Sequence, residues 1–112
     1  ADVINEAGRV EMKKLADAVL DLQREIPPEI NWVLRVDGHT DNVPLSGTGR
    51  YRDNWELSSA RATSVVKFLI ENGVPANRLV AAGFGEFQPL EEGDTPEVRA
   101  RNRRIELKLT ER

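Results

Sequence analysis

Between Met12 and Ile26 the apolar residues recur at steps of three and four (Met12, Leu15, Val19, Leu22, Ile26), and then the period changes to two. The first pattern is one stripe of an amphipathic helix, with Asn5 placed to cap it. Pro27 and Pro28 end it, because proline has no N–H to give and its ring clashes with the preceding turn. In "INWVLRVD" the residues alternate, with Trp32, Leu34 and Val36 on one side and Val33, Arg35 and Asp37 on the other. Both sides of this strand, 30–37, carry apolar residues, so both faces need cover, and the strand is expected at the centre of a sheet.

The same reading carries on down the chain. "DGHTDNVPLSGTGRYRDN" (37–54) holds three glycines and a proline and is too long for an ordinary connection; ordered loops of that length are usually functional. "WELSSARATSVVKFLIEN" (55–72) sets Leu57, Ala60, Ser64, Val65, Phe68 and Leu69 along one side, with Asp53 or Asn54 as cap and Gly73 with Pro75 as stop. "LVAAGFG" (79–85) reads as a buried strand. Thr95 followed by Pro96 opens a short helix, and "RRIELKLT" (103–110) alternates as a last strand. Helix–strand–helix–strand–helix–strand predicts an α+β fold (an α/β sandwich), helices packed on one face of a mixed sheet of about four strands. Because the pattern begins on a helix, a first strand is expected just upstream or within the first few residues.

At 112 residues, with no repeat, the chain is read as one domain, 1–112. No apolar run approaches the roughly 20 residues that cross a bilayer, so no membrane insertion by this segment is expected. It has no cysteine, which excludes disulfides and thiolate metal sites. A net charge of −3 gives no general attraction to nucleic acid, and "VRARNRR" (98–104) has no aromatic residues interleaved for base stacking.

"RVDGHTDN" (35–42) concentrates an arginine, two aspartates and the only histidine. A catalytic metal there is not supported, because zinc or iron takes three or four protein ligands and His39 has no second histidine to join it. A nucleophilic site would pair His39 with Ser46, Ser58, Ser59 or Thr40, with Asp37 or Asp41 as orienter, yet no elbow motif presents the hydroxyl. No enzyme activity is expected. The third chemistry is a socket for a small zwitterion. Asp41 leaves a strand end, Arg61 lies early in the next helix, and if the loop folds back the two face one pocket. The guanidinium would then grip a carboxylate and the aspartate would accept from an ammonium. An Asp41–Arg61 bridge that only pins the loop fits the residues equally well.

Four separated stretches, "GHTDN" (38–42), "NWELSSARA" (54–62), "GFGEFQPL" (83–90) and "RARNRRIEL" (99–107), together resemble the OmpA-like peptidoglycan-binding domain, and look closest to its MotB-type branch. The resemblance extends from about residue 3 to residue 110. It implies a non-catalytic domain without cofactor, in the periplasm of a Gram-negative bacterium, within a larger inner- or outer-membrane protein. The implied partner is the peptidoglycan stem peptide, held by its meso-diaminopimelate, whose side-chain end carries an ammonium and a carboxylate on one carbon. The family's motif aspartate falls on Asp41 and its motif arginine on Arg61. Thr40, Asn42, Asn54, Leu57 and Ser58 fall on positions lining the family's pocket. His39 is read as positioning the loop, and Arg103 and Arg104 as supports or rim contacts. The family usually opens with a short strand before the first helix, which this chain lacks or carries truncated. The alternative is a structural domain, dimerising in the periplasm, in which Asp41 and Arg61 only brace the loop.

Overall fold

The computed structural model describes residues 6–45 and 49–112. The proposed cap Asn5 and the candidate Ser46 lie outside them. In chain order come helix α1 (Glu6–Glu25), strand β1 (Trp32–His39), helix α2 (Asn54–Glu71), a single 3-10 turn (Ala76–Arg78), strand β2 (Leu79–Gly83), helix α3 (Pro96–Asn102) and strand β3 (Arg104–Glu111). The strands form one sheet in the order β2-β1-β3, with β1 parallel to β2 and antiparallel to β3. The alternating strand is therefore central and the sheet mixed, as expected. Among the described residues the sheet has three strands.

One face of β1 carries Trp32, Leu34 and Val36 into the main core. Ala16 and Val19 of α1, Ala62, Val65 and Leu69 of α2, and Val74 close over them. Ile105 and Leu107 of β3 and Leu79 of β2 pack against the same cluster. At roughly 1.5–3 kcal/mol per buried aliphatic side chain, this layer is the main source of stability. Asp53 caps α2, its side chain accepting from Glu56 N, and Thr95 caps α3 in the same way with Pro96 next. Gly73, at φ +102°, ends the α2 segment in a conformation that costs glycine nothing.

Three expectations need correction. The strand runs on through Gly38 and His39, which pair with Gly83 of β2 and with Ile105 and Arg104 of β3, so the long loop begins only at Thr40. Segment 79–85 is not a buried strand: β2 is a short outer strand, half-covered, with Val80 exposed. On α2 the covered side also takes in Ser58 and Ala62, both without exposure, while Ala60 and Ser64 are only half-buried.

The second face of the sheet is polar. Arg35, Asp37 and His39 of β1 stand directly beside Lys108, Glu106 and Arg104 of β3. Phe84 lies over this row, stacked on His39 at 5.1 Å and 7° and under the Arg35 guanidinium at 5.5 Å.

Candidate functional site

Two glycines bring the end of β1 against the start of α2. A Cβ on Gly38 would lie 2.1 Å from the Ser58 carbonyl oxygen, and one on Gly83 would lie 2.1 Å from Ser59 Oγ. The helix thus rests on the sheet at the point where the strand ends and the loop begins. Here Thr40, Asp41, Asn54 and Ser58 come together.

Thr40 is buried; its N–H donates to Gly85 O at 2.9 Å and its hydroxyl to Asp41 O at 2.9 Å. The Asn54 side-chain amide sits within 3.2–3.3 Å of Asp41 O, Val43 O and Glu86 Oε1, stitching the loop to the helix start. Ser58 is fully buried, its hydroxyl accepting from Gly85 N at 2.9 Å and donating to Trp55 O at 3.1 Å. That commits the serine to structure, not to attack on a substrate. Asp41 Oδ1 accepts from Val43 N at 3.0 Å, and Oδ2 pairs with Arg103 Nη1 at 2.7 Å. Arg61 is half-buried and follows Asn54, Leu57 and Ser58 on the same face of α2. Asn42 is exposed and, with Thr40, Glu86 and Asn102, borders a polar cavity of about 180 Å³.

The partner of Asp41 was missed as such. The sequence gives Arg103 only the role of a support or rim contact, yet it carries the ion pair. Its signal was the register: His39 faces Arg104 across the β1–β3 ladder, so Arg103 lies just past the strand end, beside the loop. The structure brings Thr40, Asp41, Asn54 and Ser58 into one hydrogen-bonded joint. It places His39 and Arg104 in a separate cluster on the polar face, with Asp37 and Glu106.

That cluster offers three donor atoms, from Asp37, His39 and Glu106, within 4.8 Å of one another. Both Asp37 oxygens are already taken by Arg35, at 2.7 and 2.9 Å, and Glu106 pairs with Arg104. With Lys108 alongside, three cations face two carboxylates, a field that repels a metal ion. The Arg35 pair raises the guanidinium pKa and the Arg104 bond lowers that of Glu106.

His39 is buried with neither ring nitrogen hydrogen-bonded, and Glu106 Oε1 stands 3.9 Å from Nε2. Its pKa is held below 6.5, by burial first and then by Arg104 and Lys108, against the opposite pull of Glu106 and Asp37. Below 6.5 the unfolded chain therefore takes the proton before the folded one does, and stability falls with acidification towards the folded-state pKa. Glu91 and Glu106, both lowered from 4.5, add their losses only at more acid pH. Thermal melts between pH 7 and about 5 should show a declining Tm in the parent and a flatter profile in His39→Gln. An identical slope in both proteins would assign the titration to another group.

The OmpA family model matches residues 2–103. The chain belongs to the OmpA family. Within it, the domain is of the MotB type. It is 32% identical over 107 residues to motility protein B of Helicobacter pylori, an alignment covering 96% of this chain and 39% of that protein. The solved periplasmic domain of Helicobacter pylori MotB superposes with a TM-score of 0.83 at 30% identity, over 99% of this chain and 66% of that one. The cell wall anchor of the T6SS from Pseudomonas aeruginosa superposes with a TM-score of 0.80 at 31% identity, over 99% and 71%. The chain spans less than half the length of the curated relatives it matches.

Proposed function

We propose that this domain anchors a larger envelope protein to the cell wall, without turnover, by holding the meso-diaminopimelate of a peptidoglycan stem peptide between Asp41 and Arg61. Family membership and the likeness to a cell wall anchor support the anchoring role. The observation that supports the finer reading is that Asn54, on the α2 face that also bears Arg61, holds the backbone oxygen of Asp41 at the loop–helix joint. A carboxylate has about four acceptor positions, and Val43 N and Arg103 use one each, so Asp41 keeps capacity for a ligand ammonium. Arg61 takes the ligand carboxylate through its planar fork, and Thr40, Asn42, Asn54, Leu57 and Ser58 shape the surrounding wall. No helix among the described residues is long and apolar enough to cross a membrane. The domain is assigned to the periplasm of a Gram-negative cell, as part of an inner- or outer-membrane protein that pairs as a homodimer.

Selectivity tests the reading. A stem peptide with diaminopimelate should bind, and the same peptide with lysine should bind about 30- to 150-fold more weakly, because Arg61 loses its anion at a cost of roughly 2–3 kcal/mol. Equal affinities by calorimetry would sink the socket and leave Asp41 and Arg61 as braces.

A further inference from the structure

Beside the joint that holds Asp41, two large aromatic rings stand in solvent. Trp55, in the first turn of α2, is 51% exposed and Phe87 is 57% exposed, although their rings stack on each other at 5.0 Å and 27°. Stacking without burial is an unusual use of a tryptophan, and exposed aromatic surface of this kind marks recognition.

The pair is held firmly. Gly85 adopts φ +61°, and a Cβ there would meet both rings at 3.4 Å, so the glycine backbone forms the floor on which they rest. Gly85 N donates to Ser58 Oγ, which donates to Trp55 O, locking the turn that leads to Phe87 onto the helix. Gly85 O accepts from Thr40 N, the neighbour of Asp41. Around the rings Arg52, Glu56, Ser59 and Gln88 are all exposed and polar.

We propose that Trp55 and Phe87 form a second subsite, a platform for a pyranose ring of the glycan strand that carries the stem peptide. The inference rests on the stem-peptide reading above. The electron-rich ring faces match the C–H face of a pyranose, and the polar rim matches its hydroxyl and acetamido groups. Reach agrees as well. Trp55 and Arg61 are six helical residues apart, about 9 Å along the axis. Diaminopimelate is the third stem residue, so two residues, a lactyl ether and its own side chain join the gripped end to the sugar, roughly 15 Å when extended and enough to span that distance. Two rings are far smaller than the roughly 800 Å² per partner of a stable protein interface, which favours a sugar over a second copy of the chain.

Calorimetry with the free stem peptide and with the same peptide on its disaccharide tests this. The parent domain should bind the disaccharide form about 3- to 10-fold more tightly. Trp55→Ala and Phe87→Ala should erase that gain, leave free-peptide affinity unchanged, and keep the Tm close to the parent's; Trp55→Phe should keep most of the gain. Equal affinity of the parent for both ligands, or a gain that survives Trp55→Ala, overturns the platform and leaves the stem-peptide socket intact. Binding of the disaccharide form that depends on Trp55, with no binding of free peptide, supports the platform and removes the socket. A change of oligomeric mass in Trp55→Ala without any change in the sugar gain overturns the proposal in favour of contact between two copies.

Discussion

Asp41→Ala and Arg61→Ala are each expected to abolish retention of the domain on purified sacculi, a loss of 100-fold or more on the order of a buried charge left unpaired. Neither should unfold it. The Asp41 side chain is 13% exposed and that of its partner Arg103 is 45% exposed, and an ion pair open to solvent on one side contributes about 0–1 kcal/mol to folding. In a domain of this size 1 kcal/mol moves the Tm by roughly 4–6 °C. The carboxylate is only one of the loop's ties, because Asn54 also bonds the backbone oxygens of Asp41 and Val43, and Thr40 N bonds Gly85 O. The double variant should bind no worse than either single one, since the two charges form one grip and their effects cannot add. Sacculus pull-down paired with thermal melts gives both readings. Unfolding of either single variant, or retention that survives both changes, would hand the case to the bracing role.

Gly38→Ala should produce the largest loss of stability in the fold, about 3 kcal/mol or more and a Tm lower by over 10 °C. Most small-to-large changes are relieved by a side chain that moves. Here the added methyl meets the Ser58 carbonyl oxygen at 2.1 Å and the Ser58 carbonyl carbon at 3.0 Å, both backbone atoms inside a helix. Only withdrawal of α2 from the sheet can make room. That movement also separates the helix face of Arg61 from the strand end of Asp41, so stem-peptide affinity should drop even where the variant remains folded. Gly49→Ala is the matched control, with nothing within 4 Å of its added Cβ, and should be neutral. A Gly38→Ala protein melting within a couple of degrees of the parent would show that the helix can shift without cost.

The periodic elements could be read directly from the chain, and the exceptions share a cause. The α1 stripe, the alternation of β1, and the Thr95–Pro96 start of α3 are local patterns, each set by residues that neighbour one another in sequence. From the sequence Gly38 and His39 belong to the glycine-rich loop, since glycine normally weakens a strand. They are strand because they pair with Gly83, Ile105 and Arg104, and the glycine is needed where a helix from about 20 residues away comes close, which no local pattern records. The exposure of β2 follows from its place at the edge of the sheet, again a property of neighbours. Asp41 and Arg61 could be singled out as charges flanking a long loop, and the four-motif resemblance gave them roles. Arg103 as the partner of Asp41 needed the β1–β3 register, 62 residues apart. Asp37, a candidate orienter from the sequence, is a buried carboxylate clamped by Arg35, visible only once the second face of the sheet has a shape.

The place of the candidate site at the end of the central strand has a mechanical consequence. A load applied at Asp41 runs straight into the axis of β1, which is bonded to β2 over five residue pairs and to β3 over eight. Force along that axis slides the strand against both neighbours at once, so the ladders share the strain and must fail together. The same force applied across an edge strand would open its bonds one after another, as a zipper does. A tether fastened at this point therefore pulls on the domain in its toughest direction.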